Sequence, residues 1–153
     1  MIVKEVIIAY GHRNISAKHP TTLEITTESD ITPRGDCIIG VKANKAIADL
    51  EPRFKEIVKR DDAILVILLR SGEYKDVIVA QGSSKLILSD KRRLIIRKSG
   101  YIEPATLGIH ANKAAKDIDR NLIRVLIDTE SILKIDIYAI SLSNLDDLIR
   151  RIA

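Results

Sequence analysis

Gly40-Val41-Lys42-Ala43-Asn44-Lys45-Ala46-Ile47-Ala48-Asp49-Leu50 returns later in the chain as Gly108-Ile109-His110-Ala111-Asn112-Lys113-Ala114-Ala115-Lys116-Asp117-Ile118. Six of the eleven positions are identical. Chance identity between sequences of average composition is about one position in fifteen. The match predicts an internal duplication. Upstream, Val6 to Gly11 aligns with Val77 to Gly82 at a shift of 71 residues, and Leu23, Ile25, Ile31 and Pro33 align with Leu94, Ile96, Ile102 and Pro104. At Gly40 and Gly108 the shift is 68, so the second half has lost three residues after Pro104. Each half is too small to bury much surface alone. No Gly/Ser/Pro-rich linker divides them. The expectation is one domain over 1–153, with repeats at about 3–73 and 74–142 around a pseudo-two-fold axis and an added helix over 143–153.

Local patterns predict the elements. Val3 to Tyr10 is β-branched and apolar and reads as a strand. Asn14 to Lys18 and Thr22 to Thr27 read as strands joined by the His19-Pro20-Thr21 turn. Thr32-Pro33-Arg34-Gly35 is a turn, and Cys37 to Val41 a strand. Asn44 is expected to cap a helix carrying Ile47, Leu50, Phe54, Ile57 and Val58 on one face, with Pro52 kinking it or starting a second segment. Ile64 to Leu69 reads as a strand buried on both faces. Ser71-Gly72 turns it back into Tyr74 to Gln81. The second half repeats the order with Lys85 to Leu88, Arg93 to Lys98, Ala105 to His110, an Asn112-capped helix and Ile132 to Ile140. Ser143 is expected to cap a helix over 145–152, with Asp146 and Asp147 in its first turn and Arg150 and Arg151 in its last. The fold class is α+β: a duplicated βββαβ unit, mainly antiparallel. Its closing strand is expected beside the first strand, bending the sheet toward a barrel.

Composition excludes several classes. Apolar residues make up 46% and charged residues 30% of 153 positions, the balance of a globular protein and not of a disordered one. No apolar run reaches the length of a membrane span, so no membrane partner is expected. The start lacks the zones of a secretory signal, and Cys37 is the single cysteine, so a cytoplasmic setting is expected. Scarce Gln, Met and Cys with abundant Lys, Arg and acids predict a thermostable protein.

Three segments carry a resemblance: Ala9-Tyr10-Gly11-His12, His19 to Thr26, and Thr32 to Val41. They resemble an archaeal family known as domain of unknown function, family 371, over essentially the whole chain. That resemblance implies an archaeal cytoplasmic protein and brings no activity, cofactor or catalytic residue with it. The Ile31 to Asp36 turn is also similar to the Gly-Asp turn of cradle-loop barrels, although Pro104-Ala105-Thr106 lacks the Gly-Asp pair.

Where the halves differ, function is sought. The first concentrates His12, His19, Glu24, Asp36 and Cys37, groups able to bind a ligand or move protons. This predicts a small-ligand site, with enzymatic chemistry left open. No CxxC, HExxH, GxGxxG or P-loop names a metal or cofactor. The plainer reading places both histidines at turns in water and Cys37 in the core. The second half carries the net charge of +4, concentrated in Lys85 to Lys98. There Arg93 and Arg97 alternate on one strand and offer a nucleic-acid backbone a basic strip, without aromatic residues to stack on bases. Lys45 and Lys113 beside predicted helix starts form a further candidate anion site. A third class is an assembly module, with strand 132–140 and the last helix making oligomer contacts.

Overall fold

A computed structural model describes residues 2–152, with the side chains of 144, 145, 147 and 148 outside the description. Along the chain run β1 (Ile2–Tyr10), β2 (Thr22–Thr26), β3 (Ile38–Gly40), α1 (Pro52–Val58), β4 (Ala63–Ser71), β5 (Tyr74–Gln81), β6 (Arg93–Arg97), β7 (Thr106–Gly108), α2 (Arg120–Leu126), β8 (Ile132–Ser141) and α3 (Leu142–Ile152). Short 3-10 turns at Ile47–Asp49 and Ala115–Asp117 precede α1 and α2.

The strands form two four-stranded sheets, ordered β1-β8-β4-β5 and β3-β2-β6-β7. The first is antiparallel throughout, and β8 does lie beside β1, pairing Ile2 with Ile140 and Tyr10 with Ile132. In the second, β2 and β6 are antiparallel at the centre while β3 and β7 join them in parallel. Alternation turns Ile7, Leu65, Ile67, Ile135 and Ile137 of the first sheet inward, where Leu23, Ile25, Leu94 and Ile96 of the second are also buried. α1 contributes Phe54 and Val58 to this core, and α2 contributes Leu122 and Leu126. Pro52 opens α1 at its first turn, where a missing N–H costs nothing.

The expected barrel is not there. The two sheets touch through single bridges, Tyr10 to Val41 and Gln81 to Ile109, and no ladder follows. The reason is local: Lys42 and His110 take left-handed φ of 53° and 51° directly after each bridge and carry the chain off the seam. The segments 14–18 and 85–88 are not strands either, since Ala17 and Leu88 also lie left-handed, at φ 50° and 58°. β4 is buried on one face only, with Ile64, Val66 and Leu68 half-exposed on the other.

Neither asparagine caps a helix. The Asn44 N–H donates to Ile8 O at 3.0 Å while its Oδ1 accepts from Ile8 N at 2.9 Å, so the residue stands in for a strand along the edge of β1. Asn112 does the same for Val79 on β5, at 3.0 and 2.9 Å. At Ile8 and Val79 the edge strands thus have a donor and an acceptor met without a neighbouring ladder. Ser143 lies within α3 rather than before it; its N–H donates to Asp62 Oδ2 at 3.2 Å. Because α3 begins at Leu142, Asp146 falls beyond the first turn, its expected place, and the Asp147 side chain lies outside the described residues.

Glu5 locks the segment after Asn44 onto β1. The residue is 3% exposed; its Oε1 accepts from Lys45 Nζ and its Oε2 from Glu51 N–H, both at 2.8 Å. Glu5→Ala removes both acceptors and leaves an ammonium and a backbone N–H facing an apolar gap. We expect a loss of about 2 kcal/mol, below the full cost of a broken buried pair because Lys45 reaches water. Urea unfolding reads it; a change within about 0.5 kcal/mol would show that the segment is held by packing alone.

Candidate functional site

The second sheet's far face gathers polar groups from both halves. The register sets Thr22 against Arg97, Glu24 against Ile95 and Thr26 against Arg93. Arg93 Nη1 lies 3.9 Å from Glu24 Oε1 and 3.6 Å from Glu103 Oε1, and its Nη2 lies 3.2 Å from Asp90 Oδ2. Arg97 Nη2 lies 3.3 Å from Glu103 Oε1, its Nη1 donates to Thr22 Oγ1 and its Nε to Thr106 Oγ1, each at 3.4 Å. The Arg97 guanidinium also sits 4.9 Å from the Tyr101 ring centroid. Both arginines are therefore drawn into ion pairs and do not form the free row that a phosphate backbone would track. Glu103 Oε1 is buried within ion-pair range of both, yet has no hydrogen bond of proper geometry.

Acid outnumbers base in this cluster. Burial pushes the Glu24 carboxyl above its ordinary range; Arg93 opposes the shift, and Glu103, Asp90 and Glu28 add to it. Cys37 Sγ faces Glu24 Oε1 at 4.0 Å. Burial first, then the charges of Glu24 and Asp36, push the thiol up to about 12. Asp36 also accepts the N–H groups of Lys18 and His19 on its backbone carbonyl, at 2.9 and 3.1 Å. Glu24, Asp36 and Cys37 are thus neighbours, with His19 joined to them through the backbone.

The imidazoles are occupied locally. His19 Nδ1 accepts from Thr21 and Thr22 N–H at 3.2 and 3.0 Å, shaping its turn. His12 Nδ1 accepts from Asn14 N–H at 3.0 Å, which leaves the ring proton on Nε2 to donate to Asp30 Oδ1 at 2.8 Å. That bond holds the Asp30 carboxyl below its usual range. Both ring nitrogens of His12 are thus held by local partners.

His12 alone of the five predicted residues lines a cavity of about 220 Å³. Gly11, Arg13, Ser29, Lys42 and Thr129 line it too. Neither Arg13 nor Lys42 makes a side-chain hydrogen bond or an ion pair within 4 Å among the described residues. Sequence comparison of the halves passed over these residues because Arg13 opposes Ser84 and Lys42 opposes His110, ordinary surface exchanges. Lys42 takes a left-handed backbone at this place, and no local motif announces it.

Lys45 and Lys113 are not open to an anion. Lys45 pairs with Glu5 at 2.8 Å, and Lys113 pairs with Asp76. The helices begin later, at Pro52 and Arg120. Among the described residues no three His, Cys, Asp or Glu side chains converge as a metal-ligand set. No described helix is long and apolar enough to cross a membrane.

Against known proteins, the family model described as "Domain of unknown function (DUF371)" matches residues 7–140. An uncharacterised protein of the archaeon Methanocaldococcus jannaschii is 44% identical over 128 residues, covering 84% of this chain and 94% of the relative.

Proposed function

The chain belongs to the family of domain of unknown function DUF371, and from that premise we propose that it binds a small anionic ligand in the cavity beside His12. One observation carries this: Arg13 and Lys42 line one concavity and neither makes an ion pair within 4 Å among the described residues, Arg13 acting on the nearby Asp30 carboxylate only at longer range. Ser29 and Thr129 add hydroxyl donors at the same rim. His12, pinned between Asn14 and Asp30, shapes the wall. A group with several acceptor oxygens, such as a phosphate or a carboxylate, suits two cations and two hydroxyls.

The same reading takes the chain as one domain of two copied units, about 3–73 and 74–142. Its support is the element order βββαβ occurring twice, with Asn44 and Asn112 making the same bonds to Ile8 and Val79. If the halves are copies, the cavity marks a place where one was specialised, Lys42 standing where the other has His110.

Isothermal titration with inorganic phosphate, pyrophosphate and citrate tests the ligand. Saturable, salt-sensitive binding is expected for at least one of them. Arg13→Ala with Lys42→Ala should weaken it by about tenfold per cation removed. No saturable heat with any of the three, or affinity unchanged in the double variant, overturns the proposal.

A further inference from the structure

The outward face of the first sheet is uncovered by any other described element and largely apolar. Register places its side chains in rows across all four strands. Val6, Asp136, Leu68 and Val77 form one row, and Lys4, Tyr138, Val66 and Val79 the next. Val77 and Val79 are 41% and 40% exposed. One end of the face is cationic, where Lys134, Arg70 and Lys75 share a row. The other end holds Ile140 and Ile64. Asp136, 1% exposed in its side chain, answers only part of this charge, with Arg70 at 3.2 Å, Lys4 at 3.7 Å and Lys134 at 4.0 Å.

α3 leaves the sheet from the apolar end, continuing β8 after Ser141. It is strongly amphipathic, yet Leu142, Ile149 and Ile152, which recur at helical spacing, stay 43%, 50% and 76% exposed. Asp146 is exposed on the same helix. Among the described residues, one chain therefore carries an exposed, largely apolar sheet face and a helix whose Leu142, Ile149 and Ile152 also face out.

We propose that this face binds a second copy of the chain in a two-fold dimer, stacked so that the apolar end of each sheet lies over the cationic end of the other. α3 of each copy, projecting from the apolar end, then reaches the partner's Lys134, Arg70 and Lys75 row with Asp146. The contact is isologous, as closed dimers require. Its size is adequate: four strands about 4.8 Å apart and about nine residues long offer about 600 Å² of sheet per copy. With the helix stripe added, this approaches the roughly 800 Å² per partner of stable interfaces. A sheet face of that size whose apolar rows include the exposed Val77 and Val79 marks an interaction surface. The proposal is independent of the ligand cavity, which lies at Gly11 and Lys42.

Sedimentation velocity and native mass spectrometry of the full chain read the outcome. The unmodified protein is expected to be a dimer in the micromolar range. Val79→Lys, at an exposed edge-strand position, and Ile149→Asp, on the helix, should each raise the dissociation constant by about 30-fold or more with far-UV circular dichroism unchanged. A monomer across that range, or a dimer that neither variant weakens, overturns the proposal. So does a monomer that cosediments with phosphatidylserine vesicles but not with phosphatidylcholine vesicles, which would make the occupant an anionic membrane.

Discussion

Gly11→Ala is expected to destabilise the protein by about 4 kcal/mol, more than any surface substitution in the chain. A Cβ at Gly11 would sit 2.1 Å from the Asp128 carbonyl oxygen and 2.5 Å from that of Leu126. Both obstacles are backbone at the end of α2, so no rotamer change relieves them. The chain must move, and the bonds from Gly11 N–H to Ser131 O (3.0 Å) and from His12 N–H to Leu126 O (2.9 Å) go with it. Gly82 is placed alike against the end of α1, its Cβ falling 2.2 Å from Val58 O, and Gly82→Ala should cost a similar amount. Gly72 is the control. An added Cβ there meets nothing within 4 Å, and only the left-handed φ of 59° resists it. Gly72→Ala should cost about 1 kcal/mol. Denaturant unfolding of the three variants decides the matter. Equal small losses for all three would mean that strand ends and helix ends do not pack as closely as described.

The second large effect is chemical. A thiol raised from 9.0 to about 12 holds about a thousandth of the thiolate of an unperturbed cysteine at any pH below 9. Iodoacetamide should therefore alkylate Cys37 about a thousandfold more slowly in the folded protein than in urea at the same pH. The ultraviolet thiolate band should likewise be absent from the folded protein through pH 10. Burial is the main cause and the Glu24 carboxylate the next. Glu24→Gln should restore part of the reactivity, since it removes a negative charge 4.0 Å from the sulfur. Rapid alkylation of the folded protein would return Cys37 to the list of nucleophiles; slow alkylation assigns it to packing beside Glu24.

Much of the architecture is legible from residue order because burial writes a period into the chain. β1, β4, β5 and β8 alternate apolar side chains at the spacing of a strand, and the Ser71-Gly72 turn marks the hairpin between β4 and β5. The same period misleads at 14–18 and 85–88. Ile15, Ala17, Leu86 and Leu88 alternate and are buried, but left-handed turns at Ala17 and Leu88 prevent a ladder. Burial alone does not specify hydrogen-bonding partners. For the asparagines the residue type was informative and the inferred partner wrong: an amide that can cap a helix can equally imitate a strand, and the choice rests on an edge 36 residues away.

The site divides along the same line. That His12, His19, Glu24, Asp36 and Cys37 are polar groups peculiar to the first half is plain from the chain, and Cys37 lies against Glu24. What they meet is not. Glu24 is flanked by Arg93, and Arg97 bridges Thr22 and Thr106, because β2 and β6 are paired at the centre of the second sheet. Two arginines of one half thus meet Glu24 of the other, beside Asp90 and Glu103 of their own half. Residue order by itself determined the periodic strands, the hairpin at Gly72 and the α+β class, since these follow from local sterics and the alternation of burial. Only the tertiary structure decided which charges cancel and which stay free, because electrostatic pairing acts across a few ångströms of space whatever the distance along the chain. Arg93 and Arg97 were neutralised by folding; Arg13 and Lys42 were left facing a cavity.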